Sequence, residues 1–303
     1  MRILAALLCA CVIACASARP ASQLDPVRAD PVVDATHPAR NQQVLVPSHG
    51  VGMNALFLLA SGQERKPTVV LLHGLPGNEQ NLDLAQAIRR AGWNVLTLHY
   101  RGSWGSPGRF SIANAVEDAA SAVAFVRRDD TAAKYAIDAR RVVIGGHSMG
   151  GFAAARYAAS HDDVAGLIMI DAWNVGADAK ALRAEPARRV EFEADIDDLG
   201  HSLVGANAKT LTAEVIASSD DWDLVTSAPR LARLPVLSIW ADRGIAQDNA
   251  ALAAVIQRAD EGMLTTRHFP ADHAFVDFRI ALAQAVVGWL GGVSARASKP
   301  SGD

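Results

Sequence analysis

Short apolar runs alternate with helical stretches along most of this chain, and that alternation narrows the fold more than any other feature. Thr68–His73, Trp93–His99, Arg141–Gly145, Val164–Ile170, Pro235–Trp240 and Met263–Phe269 read as strands. Between and after them, residues about 79–91, 112–128, 150–160, 246–258 and 274–290 read as helices. Val69 to Leu72 has no polar interruption, as expected of a strand covered on both faces. Strand–helix–strand units of this kind give a mostly parallel, doubly wound sheet with helices on both faces, an α/β class. Gln43–Pro47 and Ala55–Leu59, separated by Ser48-His-Gly-Val-Gly, predict an antiparallel hairpin before it. Half of the 303 residues are hydrophobic, enough for one large core.

Four segments depart from the alternation. Residues 173–230 are charged and helical in flavour, with Arg188, Glu191, Glu193, Asp195, Asp197 and Asp198 close together. An insertion there lies at the carboxyl ends of the strands, where open sheets bind ligands, and is expected to be a helical cap on the domain spanning 42–290. Residues 19–41 read as a proline-containing spacer and 291–303 as a polar, flexible tail. Met1-Arg2, the apolar run Ile3–Ala14 and the small residues of Ala16-Ser17-Ala18 form the pattern of a secretory signal over residues 1–18, cleaved after Ala18. Val12-Ile-Ala-Cys15 also resembles the lipobox of bacterial lipoproteins, which would lipidate Cys15. Either route exports the protein, and Cys15 offers its one expected attachment to a membrane.

Cys9, Cys11 and Cys15 are the only cysteines, so an exported domain is expected to have no disulfide, cysteine nucleophile or cysteine metal ligand. A formal net charge of −3 with no basic block gives no reason to expect a nucleic-acid partner.

Chemistry enters at Gly145-Gly-His-Ser148-Met-Gly-Gly151, which stands between an apolar strand and a helix. Gly146-His-Ser148-Met-Gly150 is G-x-S-x-G, and its glycines permit the sharp turn that lifts a serine above the sheet. Ser148 is therefore the expected nucleophile, and a serine hydroxyl needs a base. His273, in the loop after the last strand, stands where the order serine, acid, histidine requires the base; His268 is the second choice. Asp242, after strand 235–240, is the expected acid, with Asp171 at the end of strand 164–170 as runner-up. Asp272 adjoins His273 and reads as a loop residue. The oxyanion donors are expected to be the backbone N–H groups of Met149 and Leu75. Neither a metal nor a cofactor is implied. Trp104, Trp173 and Trp222 carry no assigned role, and packing is the usual use of such residues.

Together, His73-Gly-Leu-Pro-Gly, His99-Tyr-Arg-Gly-Ser-Trp-Gly-Ser-Pro-Gly, Gly146-His-Ser-Met-Gly-Gly, Ala241-Asp-Arg-Gly and Asp272-His-Ala-Phe resemble the α/β-hydrolase superfamily over about 43–290. His-Ser-Met-Gly-Gly resembles its esterase, monoacylglycerol lipase and serine aminopeptidase branch. Tyr-Arg-Gly-Ser resembles the prolyl oligopeptidase and dienelactone hydrolase branches. The chain departs from the former in having no propeller segment and from the latter in having Ser for Cys. The resemblance implies a serine hydrolase acting on a small-molecule ester, or alternatively a peptidase or amidase acting on a short peptide. A non-catalytic binding protein of the same fold is the third expectation. Substrate identity and oligomeric state are open at this level.

Overall fold

The computed structural model describes residues 25–197, 202–218, 220–260 and 262–297. The expected signal and lipidation segment, with Cys15, lies outside the described residues.

The apolar runs become strands because their side chains alternate between two buried layers. In Lys66–Leu72 (β3), Val69 and Leu71 join one layer while Val70 and Leu72 join the other. The same division holds for Val143 against Ile144 in Ile137–His147 (β5) and for Ile168 against Met169 in Gly166–Ile170 (β6). Arg40–Ser48 (β1), Val51–Leu59 (β2), Asn94–Leu98 (β4), Val236–Arg243 (β7) and Leu264–Asp272 (β8) complete an eight-stranded sheet. Its order is β1-β2-β4-β3-β5-β6-β7-β8. β1 and β2 pair antiparallel, as do β2 and β4, and every other pairing is parallel. The hairpin is tighter than its sequence suggests. Ser48 pairs with Val51, so only His49 (φ 44°) and Gly50 (φ 84°) make the turn. Two left-handed residues give the backbone twist that strands of a hairpin share.

Leu82–Arg90 (α1) and Arg279–Ala297 (α10) cover one face. Leu282, Val286 and Leu290 recur at helical spacing along α10 and meet the layer of Val69 and Ile168. Ile112–Arg127 (α2), Met149–Ser160 (α4) and Ala246–Ala259 (α9) cover the other face, with Asp129–Lys134 (α3) beside β5. The tail expected from residue 291 is corrected here: α10 continues to Ala297, its Val293 buried on the same stripe. The last helix also starts later than expected. A short 3-10 turn, Val276–Phe278, separates it from β8 and leaves His273 in the connection between them.

Between β6 and β7 the chain forms Val175–Ala184 (α5), Pro186–Asp197 (α6), Ala208–Ala217 (α7) and Leu224–Leu231 (α8). The helical character read from sequence is present. α5, α6 and α7 pack on one another, whereas α8 packs on α4 and α9, within the layer that covers the sheet.

Candidate active site

β5 ends at His147 and α4 begins at Met149, so Ser148 alone makes the turn. Its backbone has φ 55° and ψ −121°, a conformation that costs a side-chain-bearing residue on the order of 1–3 kcal/mol and persists where the surroundings impose it. The surroundings are on both flanks. Ser148 N–H donates to Ile170 O at 3.0 Å, and Ser148 O accepts from Phe152 N–H and Trp173 N–H at 3.1 and 3.0 Å. The glycines of the motif are needed for closeness. A Cβ on Gly146 would lie 2.5 Å from the Gly150 carbonyl carbon, and one on Gly150 would collide with the Leu72 and His73 carbonyls.

His273, directly after β8, lines the same cavity as Ser148. Its Nδ1 lies 2.6 Å from Asp171 Oδ2. A carboxylate only accepts, so the proton sits on Nδ1 and Nε2 is left as the acceptor. Asp171 follows β6, the neighbour of β5, and is fully buried. It also accepts backbone N–H from Ala241 at 3.2 Å and from Ile245 at 3.1 Å. Asp171 itself has φ 41°.

Asp242, the expected acid, does not meet His273; the runner-up Asp171 does. Asp242 sits where the β7–β8 register shifts between Ala241 and Arg243, and its side chain, 41% exposed, pairs with His268 Nδ1 at 2.9 Å. His268, the second choice for the base, is 63% exposed and stacks against Trp240. A further requirement appears two residues beyond Asp242. A Cβ on Gly244 would overlap Asp171 Oδ2, so that glycine makes room for the carboxylate. The Ala-Asp-Arg-Gly stretch thus serves the acid through its glycine and its neighbouring amides.

Both expected oxyanion donors belong to segments beside Ser148. Met149 opens α4, where backbone N–H groups have no partner within the helix. Leu75 follows Gly74, which passes so near that a Cβ there would lie 2.9 Å from Ser148 Cβ. His147, given no role from sequence, braces His273. Its Nε2–H donates to His273 O at 2.7 Å, and the two rings lie 4.5 Å apart. Burial, with His273 nearby, holds the His147 imidazole neutral and pushes its pKa down to about 4.

Ser148, His273 and Leu75 line one cavity of about 730 Å³ under α5 and α6. Its apolar walls include Trp173, Phe192 and Ile245. Its charged lining is one-sided: Asp178, Glu191, Asp195 and Asp248 against Arg188. Asp178 is engaged by Trp173 Nε1–H at 2.6 Å and by Arg188 at 3.6 Å. Burial, together with the Asp178 and Asp223 carboxylates, pushes the Asp248 carboxyl above its ordinary range, against the pull of Arg188. Among the described residues no three His, Cys, Asp or Glu side chains group as a metal site.

A family profile described as alpha/beta hydrolase fold matches residues 67–200, from β3 through the serine turn and into the insertion. The chain has the α/β-hydrolase fold. Solved structures of that fold resemble it over most of its length. A hyperthermophilic esterase from the archaeon Pyrobaculum calidifontis is 19% identical with a TM-score of 0.57, 88% of each chain being covered. Est1E from Butyrivibrio proteoclasticus is 13% identical with a TM-score of 0.61, over 84% of this chain and 99% of its own. The acylaminoacyl peptidase of Pyrococcus horikoshii is 13% identical with a TM-score of 0.58, over 84% of this chain but 41% of its own. No curated protein sequence matches the chain. In this α/β-hydrolase fold the serine, histidine and aspartate of the site come from the ends of β5, β8 and β6.

Proposed function

We propose that the protein is an exported serine hydrolase that cleaves a carboxylic ester through an acyl-enzyme. One observation carries the reading: a strained serine at the start of α4 shares a cavity with a histidine whose Nδ1 is held by a buried aspartate. In the forward step Ser148 Oγ attacks the ester carbonyl carbon while His273 Nε2 takes its proton. Asp171 keeps the other nitrogen protonated and stabilises the imidazolium. The oxyanion that forms lies between the Met149 and Leu75 N–H groups, and the N-terminus of α4 adds a favourable field. Collapse expels the alcohol, which takes the proton from His273. Water then attacks the acyl-serine, His273 again serving as base, and the acid departs. Similarity to the Pyrobaculum calidifontis structure, described as an esterase, supports the ester reading. The signal-like segment 1–18 supports export, by cleavage after Ala18 or lipidation at Cys15.

A second reading is favoured by the cavity wall. Four carboxylates against one guanidinium suit a substrate with a protonated amine, as in a peptidase or amidase of the same mechanism. The test is labelling with a fluorophosphonate beside Ser148→Ala, followed by turnover of short acyl esters and aminoacyl amides. Labelling of the wild type alone, with turnover of esters above amides, is expected. A folded wild type that resists labelling would point to a closed cap or to a non-catalytic role. Amide turnover above ester turnover would select the peptidase.

A further inference from the structure

We propose that Trp104 is a positioning residue that ties the helical insertion to the loop carrying the Leu75 N–H, so that the insertion helps aim one oxyanion donor. The inference rests on the reading of Ser148 as nucleophile and of the Leu75 amide as donor.

The loop after β3 has three carbonyls held by side-chain donors. Tyr100 Oη–H donates to His73 O at 3.0 Å, His73 Nδ1–H to Gly74 O at 2.7 Å and Trp104 Nε1–H to Pro76 O at 2.7 Å. Gly74 O belongs to the same trans peptide as the Leu75 N–H, and the two point in opposite directions across it. Tethering the carbonyls on either side of Leu75 therefore aims its N–H away from the tethers. His73 and Tyr100, just beyond the ends of β3 and β4, are buried, whereas Trp104 is 40% exposed.

The insertion bonds the Trp104 backbone directly, while its ring lies 6.2 Å from that of His99. Residues 202–204 run antiparallel along residues 102–104, with Ser103 and Leu203 paired as an isolated bridge. Trp104 N–H donates to Ser202 O at 3.1 Å and Val204 N–H to Gly102 O at 2.7 Å. Phe110 N–H donates to Val204 O at 2.9 Å, closing the strap on its far side. Trp104 (φ 46°) and Gly105 (φ 82°) are the central residues of a tight turn closed by Ser106 N–H donating to Ser103 O at 2.9 Å, and the strap bonds flank that turn. The path from the insertion to the donor is thus strap, Trp104 backbone, indole N–H, Pro76 carbonyl and the Leu75 peptide. A tryptophan used only for packing would need neither the exposed position nor the hydrogen bond to Pro76.

The test compares wild type with Trp104→Phe, which keeps an aromatic ring and removes the donor, and with Val204→Pro, which removes the strap's N–H. The readouts are kcat and KM on one ester, affinity for a trifluoromethyl ketone that adds to the serine as a tetrahedral oxyanion, and the urea midpoint. Both variants are expected to lose roughly tenfold in kcat and in ketone affinity, with KM within about twofold and the midpoint unchanged. The double variant is expected to lose no more than about the larger single loss, since both act on one path. Unchanged kinetics in Trp104→Phe would overturn the proposal. So would a lower midpoint with KM raised in step, the mark of a merely structural residue. Loss in Trp104→Phe with none in Val204→Pro would sever the insertion from the path and overturn it as stated. If Trp104→Phe does not fold, Val204→Pro alone decides by the same readouts. Failure of the wild type to label at Ser148 would remove the underlying reading instead, which is a separate result.

Discussion

A carboxylate that orients an imidazole must itself be held, and at Asp171 every oxygen is. Its Oδ1 accepts from Ala241 N–H and its Oδ2 from Ile245 N–H and His273 Nδ1–H, with no exposure to solvent. Asp242 meets only an exposed histidine at the sheet edge. Asp171→Asn is accordingly expected to lower kcat about 10³- to 10⁴-fold, because an amide that donates to His273 forces the wrong tautomer. Asp242→Asn is expected to stay within about twofold, a surface ion pair contributing little. Steady-state kinetics of the two, side by side, checks this, and the reverse ranking would return the role to Asp242. Chain order could not separate the two aspartates, since both follow strands between the serine and the histidine. The separating fact is lateral: β6 lies against β5, and β7 lies one strand farther away.

At the scale of elements, the insertion and the body meet through a helix end. Glu214 of α7 accepts from Ile112 N–H and Ala113 N–H at 3.0 and 2.8 Å, and Ser111 Oγ accepts from Asn114 N–H at 3.0 Å. The first turn of α2 is thus satisfied partly by a residue about a hundred positions away, and the carboxylate also suits the positive end of the helix. Glu214→Ala is expected to destabilise the protein by about 1–2 kcal/mol, the usual range for losing a cap. A urea midpoint equal to wild type would show that solvent satisfies those amides as well as Glu214 does. Elements of this kind were legible in the alternation of apolar runs. Their ends were less so: a hairpin turn of two residues and a helix running to Ala297 depend on pairing register and on burial of Val293.

For the molecule as a whole, acid is the condition that tests the core. Burial pushes His73 and His147 down to about 4 each, from an ordinary value of 6.5. The unfolded chain takes up protons at these two sites as pH falls below 6.5, while the folded protein does not until about 4. Stability is therefore retained above pH 6.5 and declines through the window between, by about 1.4 kcal/mol per pH unit for each histidine. Urea denaturation at several pH values between 7 and 4 measures the slope. His147→Gln, whose amide can still donate to the His273 carbonyl without titrating, is expected to reduce it by about 1.4 kcal/mol per pH unit within that window. An unchanged slope would remove His147 from the account.

The sequence by itself determined the α/β sheet, the strand–serine–helix turn and the loop that carries His273, because each depends on local spacing: apolar periodicity, a run of glycines, a histidine between a strand and a helix. The tertiary structure alone decided which aspartate meets that histidine, why Gly244 must lack a side chain and what Trp104 holds. Those depend on which strands lie side by side and on which loops touch across the carboxyl edge of the sheet. Such contacts join residues far apart in the chain, where no periodicity can mark them.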